Sequence, residues 1–255
     1  MEEIKVNENK LGTMPINKLL LEMAIPMVIS MLVQSIYNIV DSMFVAQVSE
    51  DALTAVSLAF PVQNILIAFG VGIGVGASAL LSRFLGENNR EKVGSVALHG
   101  VAISGITYLV FAIIGLLFTK GYVNHQGQNA VVSQYTKEYL YIVTIFSIGI
   151  FFQTLAEKLL QATSLTKFTM ITQMSGAILN IILDPILIFG LFGFPRLEVK
   201  GAAIATVIGQ VFGALVGFYF NKTKNHDIKF TSKKFKFHGD IVKQIFWIGL
   251  PTIVM

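Results

Sequence analysis

The chain has 255 residues, of which 54% are apolar and only 13% are charged, and its mean hydropathy is +0.68. A soluble globular domain carries about 25% charged residues, so this composition excludes an ordinary soluble protein and favours one that has a bilayer as its solvent. The net charge is +4, and the absence of cysteine excludes disulfides and thiolate metal sites.

Six long uncharged runs follow a polar amino-terminal stretch, residues 1–15, which mixes both signs of charge. That stretch has no apolar core, so we expect a cytoplasmic segment and no cleaved signal peptide. A helix crosses the bilayer in about 20 residues, which these runs match. The runs are Met23–Val40, Ala52–Ser82, Val93–Thr119, Tyr139–Ala156, Phe168–Leu183 and Gly201–Asn221. The predicted fold class is all-α, a polytopic membrane protein with a six-helix bundle over residues 16–221.

The basic residues fall almost entirely on one side of these spans. With the amino terminus in the cytoplasm, 15 of the 19 Lys and Arg residues lie inside. This bias predicts a multi-pass protein of the cytoplasmic (inner) membrane. The basic loop at residues 222–240 could also be an anionic-lipid or nucleic-acid patch. A loop that obeys the positive-inside rule explains it more simply, so we predict contact with membrane lipid and no nucleic-acid partner.

Residues 241–255 begin a seventh helix whose opening repeats that of the first span. Lys18 and Pro26 have the same spacing as Lys243 and Pro251, at an offset of 225 residues. Both copies begin on the same side of the membrane, so the repeats would be parallel. We therefore expect a complete protein of twelve helices, of which this chain is one lobe and the start of the second.

Two aspartates lie within the predicted spans, Asp41 and Asp184. A charge at the centre of a membrane helix costs roughly 2.5–3.5 kcal/mol on insertion scales, so such acids usually face a cavity and mark a functional site. Residues three and four apart share a helix face, which places Tyr37 and Asn38 beside Asp41, and Asn180 beside Asp184. Both spans run outward, so we expect the two carboxyls in the outer half of the membrane.

For Glu157, the alternating glycines and the histidines, the sequence indicates no functional site. Glu157 lies near the cytoplasmic end of the fourth span, beside Lys158, and is expected at a solvated helix terminus. The alternating glycines from Gly70 to Gly76 are not a nucleotide-binding loop, because no strand surrounds them, and they favour close helix packing. The four histidines have no neighbours at ligand spacing, so no metal site is predicted from them.

Four segments together resemble the MATE family of multidrug exporters, in particular its prokaryotic DinF-like branch. They are Ala24–Pro61, Leu80–Lys92, Gly176–Phe189 and Gly201–Gln210. The turn Leu160–Ser164 departs from the family, since it lacks the basic residue and the glycine of a Leu-Arg-x-x-Gly pattern. The resemblance implies two six-helix lobes and export of small amphipathic, often cationic compounds in exchange for protons or sodium ions, with no cofactor.

The resemblance also implies the site residues. The cation-coupling site would be Asp41, Asn180, Asp184 and Thr206, and these would hold sodium if sodium is the coupling ion. The candidate residues of the substrate cavity are Tyr37, Gln34, Asn38, Gln63 and Gln210. A carboxyl that takes up a proton when desolvated would suit proton coupling, and a ring of oxygen atoms would suit sodium, so both remain open.

Two other functions were weighed against export. A flippase for a lipid-linked sugar would need several basic residues in its cavity to meet a pyrophosphate, and the spans of this lobe supply none. An intramembrane hydrolase would need a nucleophile with a partner, and neither aspartate lies in a Gly-x-Gly-Asp motif. We therefore predict a transporter and not an enzyme.

Overall fold

A computed structural model describes residues 15–230 and 237–254 of the chain, and in that part the all-α prediction is confirmed. The helices are α1 Ile16–Ala46, α2 Glu50–Gly86, α3 Arg90–His125, α4 Ala130–Ile145, α5 Ile148–Ala162, α6 Thr166–Phe189, α7 Val199–Thr223 and α8 Gly239–Val254, with a 3₁₀ turn at Leu191–Gly193. Most of the predicted amino-terminal segment, residues 1–14, and residues 231–236 of the predicted basic loop lie outside the described residues.

Five of these helices are long and apolar enough to cross a membrane, namely α1, α2, α3, α6 and α7. The pair α4 and α5 makes a sixth span if the two are taken together. We predicted this span as a single helix, but it breaks at Phe146 with a bend of 48°. The Phe146 backbone leaves the helical region, with φ −100° and ψ 25°, and no proline is present there. Hydropathy does not reveal such a break, because the residues on both sides are equally apolar.

Short loops with side-chain caps reverse the chain between the first helices. The Ser49 hydroxyl accepts a hydrogen bond of 3.0 Å from the Ala52 N–H at the start of α2. The Asn89 and Asn129 side chains cap α3 and α4 in the same way. Such caps satisfy amide groups that a helix start leaves without partners, and loops of this length make neighbouring helices antiparallel.

The centre of the bundle is α2, which packs against α3, α4, α5 and α8. Its glycines make this possible, as predicted. A Cβ atom on Gly76 would clash with the carbonyl of Ile245 in α8, and one on Gly74 would clash with the Lys158 side chain of α5. The other main pairs are α6 with α7, α5 with α7 and α1 with α6.

Two apolar clusters form the interior, one in each half of the bundle. The first includes Ile73, Leu80 and Leu159, and the second includes Val45 and Ile188. Many large apolar side chains remain on the outside of the helices. Such an apolar exterior is what a lipid-facing surface requires, and it would be a liability in water.

Candidate functional site

The site rests on the contact between α1 and α6, which carry one aspartate each. Asp41 lies five residues before the end of α1, and Asp184 lies five residues before the end of α6. The two helices pack together, and the carboxyl groups are close enough to interact. Asp41 is 9% exposed and Asp184 is fully buried. The structure therefore brings together the two acids that the sequence placed at the same depth.

The polar atoms of this cluster are not satisfied by the protein. Four buried oxygen atoms receive no hydrogen bond from a donor group of the described residues while the carboxyls are ionised: Asp41 Oδ1, Asn180 Oδ1 and both carboxyl oxygens of Asp184. The two carboxyls lie within hydrogen-bond reach of each other, and they can pair when one of them carries a proton. A buried acceptor without a donor costs about 1–3 kcal/mol, and more if it is charged. Four such acceptors at one place are suited to a species that brings positive charge, which is either a proton or a hard cation with oxygen ligands.

Thr206 and Asn180 meet at the interface of α6 and α7. The Asn180 amide nitrogen donates to the Thr206 hydroxyl over 3.5 Å, so its carbonyl oxygen remains available to the site. Glycines permit this close approach, because a Cβ on Gly209 would clash with the Gly176 carbonyl of α6. The local sequence thus combines small residues for backbone contact with one amide and one hydroxyl for the site.

Two tyrosines surround the carboxyls. Tyr37 interacts with Asp41, Asp184 and Thr206, as one turn of α1 before Asp41 allows. Tyr139 of α4 is 2% exposed, interacts with Tyr37, Asp41 and Thr206, and accepts a hydrogen bond of 3.1 Å from the Gln63 amide.

The sequence indicates Tyr37 and Gln63 as cavity residues but gives no sign of Tyr139. No pattern in the sequence marks Tyr139, since the residues one helical turn away on either side are Tyr135 and Val143. The packing of α4 against α2 and α7 brings its hydroxyl to Gln63 and Thr206, near Asp41.

Three predicted cavity residues have contacts with each other or with α5. Gln34 and Asn38 form a hydrogen bond of 3.4 Å with each other along α1, where Asn38 is exposed and Gln34 is half-buried. The Gln210 Cβ lies where α7 packs against Gly149 of α5. Their role in a substrate cavity stays a prediction.

Glu157 differs from its prediction. We expected a solvated helix terminus, but the side chain is only 6% exposed. The Gln153 amide donates to the Glu157 carboxyl over 3.0 Å, and the Gln153 side chain lies against Gly213 of α7. The prediction was wrong because α6 and α7 cover this face of α5. The residues next to Glu157 in the sequence do not reveal which helices pack against it.

The described residues contain no group of three or more His, Asp or Glu side chains that could hold a metal ion. The cluster of Asp41, Asn180, Asp184 and Thr206 combines two carboxyls, an amide and a hydroxyl within the spans. Its donor set fits a proton or a sodium ion better than a transition metal, which favours nitrogen or sulfur ligands.

Comparison with known proteins places the chain in a family. The MatE family model matches residues 26–186, more than half of the chain. The multidrug export protein MepA of Staphylococcus haemolyticus is 31% identical over 93% of this chain and 52% of its own length. The probable multidrug resistance protein YoeA of Bacillus subtilis is 29% identical over 90% of this chain and 50% of its own length. An FAD transporter of Shewanella oneidensis is 31% identical over 80% of this chain and 45% of its own length.

Solved structures agree with these relatives. A MOP superfamily transporter from Pyrococcus furiosus superposes with a TM-score of 0.86 at 30% identity, and the match covers 93% of this chain and 52% of the solved one. An outward-facing multidrug resistance MATE transporter gives the same values. The chain spans about half the length of the relatives it matches. Its described helices are about half of a MATE transporter fold, and the chain belongs to the MATE family.

Proposed function

We propose that this chain forms the first lobe of an antiporter that exports small amphipathic, often cationic compounds in exchange for protons or sodium ions. The observation that carries the proposal is the set of four unpartnered buried oxygens on Asp41, Asn180 and Asp184. A site of this kind is costly for stability unless a cation enters it. Membership of a transporter family leaves no support for the intramembrane hydrolase that the sequence alone allowed.

The two forms of coupling use the same side chains in different ways. A proton on either carboxyl turns an acceptor into a donor, which can then satisfy an oxygen of its neighbour. A sodium ion would instead draw the oxygens of Asp41, Asn180, Asp184 and Thr206 around itself. In both cases the cation favours the arrangement of α1 against α6 in which these oxygens converge, and so it biases one state of the transporter over the other.

The class of exported compound is supported by the relatives and by the charge of the lobe. MepA and YoeA are named for multidrug export. The two carboxyls of Asp41 and Asp184 favour a cationic substrate over an anionic one, whereas the buried carboxyl of Glu157 lies beside the partly buried ammonium of Lys158 and adds little net charge. One relative, from Shewanella oneidensis, is named as an FAD transporter instead. A dinucleotide or a lipid-linked pyrophosphate would need basic groups that the cation-coupling cluster lacks.

The orientation, the branch and the boundaries of the lobe belong to the same proposal. We infer an inner-membrane protein with its amino terminus in the cytoplasm, from 15 of 19 basic residues on that side. We assign it to the DinF-like branch from Asp41 and the Asn180 and Asp184 pair. The lobe covers residues 16–221, a linker covers 222–240, and the second lobe begins at 241.

Cysteine labelling tests the orientation, because the chain has no native cysteine. Gln128 and Lys167 are both exposed and lie at opposite ends of the bundle. A membrane-impermeant thiol reagent added outside the cell should react with Gln128→Cys and not with Lys167→Cys. The reverse pattern would invert the proposed topology.

A transport assay tests the function. The full-length protein would be reconstituted in vesicles, with a proton gradient or a sodium gradient imposed in separate experiments, and export of a fluorescent organic cation followed. Export that depends on one of the gradients supports the proposal and identifies the coupling ion. An export rate that is the same with and without either gradient would contradict the proposal.

A further inference from the structure

A cavity of about 590 Å³ lies between the first turns of α3 and the last turns of α7, and neither aspartate of the candidate site lines it. Its walls come from both helices and from the segment that follows α7. The lining residues that matter here are Leu98, Val101, Phe218, Lys222, Asn225 and Lys229. The cavity therefore combines an apolar wall with two ammonium groups and an amide.

The segment that closes this cavity is held firmly against the bundle. Gly94 has no side chain, and a Cβ atom there would clash with the Lys229 carbonyl, so this backbone lies directly on α3. Ile228 is 4% exposed and belongs to the apolar cluster around Leu80. The walls of the cavity are thus pre-formed, as binding sites for small molecules usually are.

A chain of hydrogen bonds determines the orientation of the Asn225 amide. The Asn221 amide nitrogen donates to the carbonyls of Ala156 and Gly217, each over 2.9 Å, so the Asn221 oxygen must accept. It accepts from the Asn225 nitrogen over 3.2 Å, and that nitrogen also donates to the Thr163 hydroxyl over 3.0 Å. The remaining Asn225 oxygen is buried and has no partner among the described residues. The wall of the cavity thus contains an acceptor that is suited to a hydroxyl group.

The charges point to an anion. Lys222 and Lys229 are exposed at the cavity, and the described lining residues include no carboxylate. Lys222 lies in the last turn of α7, at the level where a membrane span meets the lipid headgroups. One and two turns further into the span, α7 presents Tyr219 and Leu215, which are 62% and 65% exposed. Tyrosine at this depth is typical of the membrane interface.

We propose that this cavity binds the headgroup of an anionic phospholipid. The phosphate lies between Lys222 and Lys229, a headgroup hydroxyl donates to Asn225, and an acyl chain follows Phe218 and the exposed face of α7. Basic pockets between membrane helices on the cytoplasmic side bind anionic lipids in this way. The sequence alone favoured a loop that simply obeys the positive-inside rule. The cavity and the Asn225 oxygen, which has no hydrogen-bond partner among the described residues, change that interpretation. The proposal does not depend on what the protein exports.

Native mass spectrometry on the purified full-length protein tests this proposal. The protein would be incubated with phosphatidylglycerol or with phosphatidylcholine, and the bound lipid counted at increasing concentration. We expect preferential retention of phosphatidylglycerol. A lysine that contacts a bound lipid phosphate contributes about fivefold in affinity, so the double variant Lys222→Gln, Lys229→Gln should bind phosphatidylglycerol roughly 30-fold more weakly. Lys224→Gln removes an exposed lysine of the same segment that does not line the cavity, and it should bind as the unchanged protein does.

Two further arms separate a lipid from a free anion. Inorganic phosphate and glycerol phosphate carry at least as much negative charge as the lipid headgroup but have no acyl chain, and neither should displace phosphatidylglycerol at millimolar concentration. Full displacement by either one would show a simple anion site and overturn the lipid assignment. Equal retention of both lipids, or an equal loss in Lys224→Gln and in the double variant, would show that the cavity is not the site. The thermal unfolding midpoints of all variants should agree, because the changed side chains are exposed.

Discussion

Neutralising Asp184 is the sharpest perturbation of the proposed coupling site. Asp184→Asn keeps the shape of the side chain but replaces one of two unpartnered acceptors with an N–H donor. The new donor can reach an oxygen that also has no partner, on Asp41 or on Asn180. The variant should therefore fold at least as well as the unchanged protein, while it loses the group that binds and releases a cation.

The expected gain in stability follows from the unpartnered atoms. Removing one buried unsatisfied acceptor and pairing a second one should raise the free energy of unfolding by about 1–3 kcal/mol. A gain of this size raises the thermal midpoint of a protein of this size by a few degrees. Asp41 has one unpartnered oxygen where Asp184 has two, and it is 9% exposed where Asp184 is fully buried. Asp41→Asn should gain less, because the desolvation of the Asp41 carboxyl is less complete. The order of the two gains is itself a prediction.

The assay combines unfolding with transport in the full-length protein. Thermal unfolding in detergent gives the stability, and gradient-driven export from reconstituted vesicles gives the activity per folded molecule. We expect Asp184→Asn to abolish export against a gradient while substrate binding partly remains, and Asp41→Asn to do the same or nearly so. Asp51→Asn is the matched control, because Asp51 lies at the start of α2, where it pairs with Asn129 outside the cluster.

Two results would refute this reasoning. Export at the unchanged rate in both variants would show that the carboxyls do not couple the cation. A loss of stability with a proportionate loss of activity would show that they serve only to hold α1 against α6. The predicted combination, with stability held or raised and coupling lost, is produced by neither alternative.

Two stability predictions follow from other residues, both measured as thermal midpoints of the full-length protein. Glu157→Gln retains the hydrogen bond from Gln153 and should change the free energy of unfolding by less than about 1 kcal/mol. Glu157→Leu leaves the Gln153 amide unpaired and should lower the free energy of unfolding by about 1–3 kcal/mol. Equal effects of the two variants would show that Glu157 is solvent-exposed. Ser164 has a left-handed backbone, with φ 61°, and a buried hydroxyl without a partner among the described residues. Ser164→Gly should raise the free energy of unfolding by about 1 kcal/mol, because glycine adopts a left-handed backbone without strain. A loss of stability would show that the backbone of Ser164 is not strained.

Ser164 lies in the turn whose sequence departs from the family's Leu-Arg-x-x-Gly pattern. It stands where the family pattern has glycine, at the turn from α5 to α6, and the turn keeps its left-handed geometry without that glycine. The neighbouring Thr163 accepts a hydrogen bond from Asn225 of the segment after α7. The altered turn is therefore compatible with the fold.

The spans and the two aspartates could be predicted from sequence because both depend on local information. A run of uncharged residues long enough to cross a bilayer has few alternatives to a helix, since every backbone polar group must be satisfied within it. An acid inside such a run is rare enough to mark a site by itself. The helical period then places Tyr37 beside Asp41 and Asn180 beside Asp184 without any knowledge of the fold.

The sequence by itself thus determined the helices, their order and the acids of the candidate site. The tertiary structure alone decided which faces are covered: it buries Glu157 of α5 under α6 and α7, places Tyr139 near Asp41, and bends the fourth span at Phe146. It also formed the cavity at Lys222 from segments distant in the chain. The physical reason is that helix formation and membrane insertion depend on neighbours in sequence, whereas burial and hydrogen bonding depend on which helices lie side by side, and in an apolar chain nearly every helix face is suited to packing.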